Sequence, residues 1–340
     1  MGIGRAYGLE IGKLKKGERN LISDVPGVTV GHCTLQQGKI QTGVTAILPH
    51  PGNCFQSKCV AAVHVINGFG KSAGLMQLQE LGTIETPILL TNTLSVGTVS
   101  TALIRYMLEE NPDIGVRTGT VNPLVLECND GRLNDIRGMH VEEKHVFSAL
   151  QSASADFEEG AVGAGTGMCC YGLKGGIGSS SRRFTIGGTA YTLGSLVLTN
   201  FGSLSDLRID GKPVGRTLAG EPMPDRGSVI MILATDLPLS SRQLGRTARR
   251  AQNGLARTGT ITGTGSGEVV VCFSTANQIS HYPSSPITQA GYLHEDYIDT
   301  VFRAVGESVE ESVISSLLHA KTTPDTASKI RSLSDLTDCF

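Results

Sequence analysis

The chain has 340 residues, 39% of them apolar, enough to build one large domain or two ordinary ones. A formal net charge of −2 gives no electrostatic footprint for nucleic acid or an anionic membrane, and no apolar run approaches the length of a bilayer-spanning helix. The N-terminal stretch lacks the apolar segment of a secretory signal, and Ala6 breaks a myristoylation motif, so a cytoplasmic protein with reduced thiols is expected.

In chain order, 44–50, 59–68 and 86–93 read as strands rich in Val, Ile and Leu. Residues 95–110 have helical period and stop before Asn111-Pro112, and 142–153 is a second helix. Glycine, 43 residues in all, then dominates from 160 and gives way to a strand pair over 184–202. Segment 205–227 has few large apolar residues, two prolines near its end and scattered charge, and reads as an exposed loop. A strand over 228–237 follows. Ser240 and Gln243 then form a capping box for one helix over 241–259. Residues 267–277 are a further strand. The chain closes with one or two helices over 294–320, whose apolar stripe runs through Tyr297, Val301, Val309, Val313 and Leu317.

Most familiar chemistries fail on spacing. The phosphate loop GxxxxGK[ST] is absent, and "GAGTGM" and "GTGSGE" both miss GxGxxG at the last position. Eight cysteines form no CxxC pair, and eight histidines form no HxH or HExxH, so no metal site is indicated. A catalytic cysteine has no supporting pattern. His64 reads as a structural residue in an apolar strand. Arg246, Arg249 and Arg250 read as a solvated helix face, because no aromatics are interleaved with them. The hydrolase elbow GxSxG is missing too.

Two serines remain. In "GTGSGE", Ser266 and Glu268 would share one face of a strand, although Gly-Ser-Gly is also ordinary turn material. In "PMPDRGSVIMILATDLPL", Ser228 stands between a polar loop and an apolar strand. That serine is either a strand start or the nucleophile of a peptide bond built to break. If its hydroxyl attacked the Gly227 carbonyl, an N-to-O acyl shift and hydrolysis would free Ser228 as a new N-terminus. Its α-amine, with a reference pKa of about 7.7–8.0, could then serve as base for its own hydroxyl. On spacing alone the strand start is the simpler reading.

The order of "LISDVPGVTVGHCTL", "HVINGFG", "ETPILLTNTLSVG", "NDGRLNDIRG", "GTGMCCYGLKGGIGSSSR", "GSVIMILATDLPL" and "LARTGTITGTGSGE" resembles the L-aminopeptidase/D-esterase family of self-processing serine aminopeptidases, which includes the β-aminopeptidases. The resemblance runs from about residue 20 to 320. It implies an α+β fold, an αββα four-layer sandwich, in a single catalytic domain over 1–340. It also implies cleavage into 1–227 and 228–340, assembly as a homotetramer of αβ heterodimers, and no cofactor or metal. The substrate would be a small peptide, amino-acid amide or ester. Ser228 matches the nucleophile, Ser266 and Glu268 its proton network, Asn200 the oxyanion-hole donor, and Glu127 the carboxylate holding the substrate ammonium.

Arg132 stands where aromatic character is expected in the family, and the chain has no tryptophan, which separates acyl-side specificity from the nucleophile machinery. An acyltransferase of the same fold and an unprocessed non-catalytic homologue are the alternatives. Retention of Ser228, Ser266 and Glu268 together weighs against the latter.

Overall fold

The structure, a computed structural model, describes residues 9–218, 227–324 and 329–339. Twelve strands build its frame: β1 (Thr29–Gln37), β2 (Ile40–Leu48), β3 (Ser57–Gly68), β4 (Thr83–Ile84), β5 (Ile88–Asn92), β6 (Leu124–Cys128), β7 (Cys169–Cys170), β8 (Leu173–Lys174), β9 (Gly176–Ile186), β10 (Thr189–Asn200), β11 (Gly227–Thr235) and β12 (Ser266–Ser280). The helices are α1 (Leu75–Leu81), α2 (Val96–Glu110), α3 (Glu143–Gln151), α4 (Gly215–Leu218), α5 (Ser241–Arg249), α6 (Ala251–Arg257) and α7 (Ile298–His319).

The strands form two large sheets, one of order β1-β2-β5-β6 and one of order β4-β3-β12-β11-β10-β9. The pairs β5–β6 and β11–β12 are parallel, joined through helices as a parallel crossover requires; the other pairs in these sheets are antiparallel. Strand alternation assigns the layers. On β11, Ile230, Ile232 and Ala234 face the other sheet's Leu90, Leu124 and Leu126, whereas Val229, Met231 and Leu233 pack against α5 and α7. Across the smaller sheet, Val44, Ala46, Leu89 and Val125 meet α2 and α3. Three apolar layers between four structural layers make the αββα sandwich of the α+β class.

Helix α7 lies unusually close to its sheet. A Cβ on Gly178 of β9 would fall 2.0 Å from the Ser312 carbonyl oxygen, so glycine is required there. Small polar side chains fill the seam, with Ser180 Oγ donating to the Ser308 carbonyl at 2.7 Å. At its edge Arg182 is fully buried and donates to Glu311 at 2.7 Å, so the ion pair inside this layer is matched.

The expected strands and helices appear, β9 beginning at Gly176 rather than at 184 and the others with small boundary changes, and four readings need correction. The stretch from 205 is not a plain exposed loop: Leu207, Ile209 and Val214 are buried in the same apolar core as α7, and α4 follows. Three apolar residues without a common period carry no pattern, yet each reaches the core. The remainder of that expected loop, 219–226, lies outside the described residues. The helix expected over 241–259 breaks at Arg250, and α6 settles on α7, where Gly254 faces the Gly306 carbonyl. Tyr297 leaves the apolar stripe and is 56% exposed, while Val301, Val309, Val313 and Leu317 are buried.

The arginine face is also more than solvated. Arg250 stacks on Phe302 of α7 at 4.1 Å, and Arg246 pairs with Glu295 while leaning on the same ring. Among the described residues no helix is long and apolar enough to cross a membrane, and no cluster of three or more metal-ligating side chains occurs.

Candidate active site

A cleft of about 720 Å³ opens where the first residues of β11 and the turn before β12 meet the last residues of β10 and of the second sheet. Ser228, Asn200 and Glu127 all line it. Asn200 is the register partner of Ser228, so their side chains leave the same face of the larger sheet. Glu127 is the next-to-last residue of β6, paired with Thr91 of β5, and reaches the cleft from the opposite sheet. Three residues far apart in sequence thus share one concavity because two sheets expose their ends to it.

Ser228 is 4% exposed. Its Oγ donates to the Gly227 carbonyl at 2.7 Å and accepts from the Gly267 N–H at 3.3 Å. The hydroxyl is therefore held against the acyl group of the preceding residue. Gly227 is sterically obligatory, since a Cβ would fall 1.8 Å from the Asn200 carbonyl oxygen. Asn200 Oδ1 accepts from the Cys169 N–H at 3.0 Å, which fixes the amide orientation. Its Nδ2 then donates to the Asn129 carbonyl at 2.8 Å, and an amide nitrogen carries a second hydrogen.

Glu127 is 3% exposed and its two oxygens are separately held. Oε1 accepts from the Lys71 N–H at 2.8 Å, and Oε2 accepts from the Thr93 hydroxyl. Such a carboxylate is preorganised to receive an ammonium ion. Neither Lys71 nor Thr93 was apparent as a partner in the sequence, and no local pattern joins them to Glu127.

Ser266 and Glu268 are both fully buried on β12 and share a face, as alternation requires. The parallel register pairs Gly227 with Ser266 and Ser228 with Gly267. The pleat therefore sends the side chains of Ser266 and Glu268 to the face opposite the Ser228 hydroxyl, beside the backbone where β11 begins. The Ser266 hydroxyl has no hydrogen-bond partner among the described residues. Asn67 ties down the turn before it, donating to the carbonyls of Gly263 at 3.3 Å, Thr264 at 3.2 Å and Ser266. Its place in "HVING" gave no sign of that task.

Two buried titratable groups lie in the segments that carry the lining residues Cys169, Gly172, Asn129 and Arg132. Lys174, alone in a glycine-rich stretch, donates to the carbonyls of Gly165, Met168 and Gly175 at 3.2, 2.7 and 2.8 Å. Burial pulls its pKa down to about 8. Asp130 accepts from Asn134 at 3.0 Å, and burial pushes its carboxyl up to about 6. Burial likewise pushes the Cys54 and Cys59 thiols up to about 12 and Cys128 well above its usual range, so these cysteines are poor nucleophiles at neutral pH.

A cleft that holds a buried carboxylate together with a hydroxyl poised at a carbonyl fits a hydrolase of the aminopeptidase class. Comparison with known proteins agrees. The sequence profile of peptidase family S58 matches residues 20–330. The chain is 36% identical over 335 residues to the β-peptidyl aminopeptidase BapA of Sphingosinicella microcystinivorans, covering 91% of this chain and 83% of that protein. A crystal structure of a Pyrococcus horikoshii OT3 protein superposes with a TM-score of 0.95 at 52% identity, over 99% of this chain and 98% of the other. The L-aminopeptidase D-Ala-esterase/amidase of Ochrobactrum anthropi, described as a prototype of the serine aminopeptidases and a variant of the Ntn hydrolase fold, gives 0.91 at 36% identity, over 97% and 94%. The chain belongs to peptidase family S58.

Proposed function

We propose that the protein cuts itself between Gly227 and Ser228 and then releases N-terminal residues from small peptides, amides or esters, with Ser228 as nucleophile. The observation that carries this reading is the Ser228 hydroxyl held at 2.7 Å from the Gly227 carbonyl oxygen, in the same cleft as Glu127. In maturation, Ser228 Oγ loses its proton and bonds to the Gly227 carbonyl carbon. The C–N bond breaks as nitrogen takes up a proton, leaving an ester. Water hydrolyses the ester to a Gly227 carboxylate and a free Ser228 amine.

That amine, once deprotonated, takes the hydroxyl proton in each turnover. Glu268 and Ser266, on the face beside the backbone of β11, serve the amine rather than the hydroxyl. The free hydrogen of Asn200 Nδ2 stabilises the tetrahedral oxyanion. Glu127 binds the substrate ammonium, which makes the enzyme an exopeptidase. The β-peptidyl aminopeptidase BapA and the L-aminopeptidase of Ochrobactrum anthropi support substrates with either a β- or an α-amine. The same resemblance supports a single domain cut into 1–227 and 228–340, four αβ heterodimers per assembly, and no cofactor. Cys33, Cys54, Cys59, Cys128 and Cys272 are free thiols, which fits a reducing cytoplasm.

Paired substrates test the amine requirement. Alanine p-nitroanilide and β-alanine p-nitroanilide should be hydrolysed, and their N-acetyl forms should not, because acetylation removes the charge that Glu127 holds. Equal turnover of free and acetylated forms would exclude this role for Glu127.

A further inference from the structure

We propose that the cleft selects substrates carrying a carboxylate in addition to the free amine, and that Arg132 and Lys71 recognise it. This rests on the reading of Ser228 and Glu127 given above. Among the described residues, three charged ones line the cleft: Lys71, Glu127 and Arg132. Glu127 is committed to the substrate ammonium, which leaves two cations facing the rest of the bound molecule. Neither is neutralised by an ion pair among the described residues. The Lys71 ammonium stands 4.3 Å from the centre of the Phe69 ring, another lining residue, and that contact orients the charge without cancelling it.

Arg132 is exposed at the cleft wall and follows the Glu127–Asp130 segment, whose placement is set by β6 and by the Asn134–Asp130 bond. A guanidinium presents a planar fork that matches a carboxylate, and two cations beside one anion raise the local concentration of anionic ligands. An aromatic residue at this place would favour an apolar side chain; arginine reverses that preference. The carboxylate has two possible sources, an acidic side chain on the released residue or the free C-terminus of the leaving part of a dipeptide.

Steady-state kcat/KM on the processed enzyme separates them. One series compares the α-amides of L-Asp and L-Glu with those of L-Asn and L-Gln. The other compares L-Ala-L-Ala with its C-terminal amide. At low salt one series should favour its carboxylate member by ~10–100-fold. The first series winning assigns the carboxylate to the acyl side, the second to the leaving side. That ratio should fall toward one in Arg132→Gln and invert in Arg132→Glu, with a smaller fall in Lys71→Met. Ratios near one in both series for the unmodified enzyme, or ratios retained in both Arg132 variants, would overturn the proposal alone. Failure to hydrolyse any of these compounds would overturn the functional reading and this inference with it.

Discussion

Asn200 is held at both ends of its amide, by the Cys169 N–H and the Asn129 carbonyl, before any substrate arrives. Preorganisation of that kind makes a donor effective, because no dipole has to rotate as charge develops. Replacing it in Asn200→Ala should lower kcat by ~10²–10³-fold with a much smaller change in KM, measured per mole of cleaved chain. With Ser228 freed as proposed, its amine should set the acid limb of the pH profile, with an apparent pKa of about 7.7–8.0 before neighbouring charge acts. The carboxylate of Glu268 favours the ammonium form, so Glu268→Gln should move that limb to lower pH while also lowering the maximal rate; an unmoved limb would place Glu268 outside the network.

Asp130 gives a stability test at the same scale. Its carboxyl titrates at about 6 when folded against 3.8 ordinarily, so the native state binds more protons between those values. Stability from this group is present below pH 3.8 and lost as pH rises through 6, a difference of ~3 kcal/mol. Asp130→Asn keeps the bond from Asn134 and removes the buried charge. It should raise the urea midpoint at pH 7 and lose that advantage near pH 4.

At the scale of elements, β11 and β12 determine what the cleft can do. Their parallel register sends the Ser228 hydroxyl to one face and Ser266 with Glu268 to the other. Any side chain at Gly227 would drive the start of β11 off β10. Gly227→Ala should therefore remain a single chain on a denaturing gel, even though alanine is chemically as good an acyl donor. By contrast, Ser240→Ala removes the cap on the Gln243 N–H, which should cost ~1 kcal/mol without changing processing or turnover.

These elements were the legible part of the sequence. Continuous apolar runs such as "SVIMILATD" and "GEVVVCF" announce buried strands, and Ser240 with Gln243 announces a helix start. The Ser228 junction drew attention by contrast of its two sides, but its role came only with the family resemblance. The cradle of Glu127 was not legible: Lys71 and Thr93 come from other elements, 56 and 34 positions away. Leu207, Ile209 and Val214 were missed because periodicity detects faces and not isolated anchors. The same holds for Phe302, which meets Arg250 only after α6 and α7 pack.

For the whole molecule, the cleft depends on two sheets keeping their spacing. Ser228 and Asn200 belong to one sheet and Glu127 to the other, with Ile230, Ile232, Leu124 and Leu126 buried between them. Ile232→Ala should cost ~2–5 kcal/mol in urea unfolding through a cavity in that layer. The two sheets also explain how a cut chain stays assembled: β10 and β11 lie on opposite sides of the proposed cut and are paired over Leu193–Asn200.

The central claim is that the bond before Ser228 is made to be cleaved by Ser228 itself, and sequencing the N-termini of the purified protein tests it most directly. The expected result is a new terminus beginning Ser-Val-Ile-Met in the wild-type protein and none in Ser228→Ala, whose chain stays intact and inactive. An intact, active wild-type chain, or a Ser228→Ala protein that still yields the Ser228-position terminus, would contradict it.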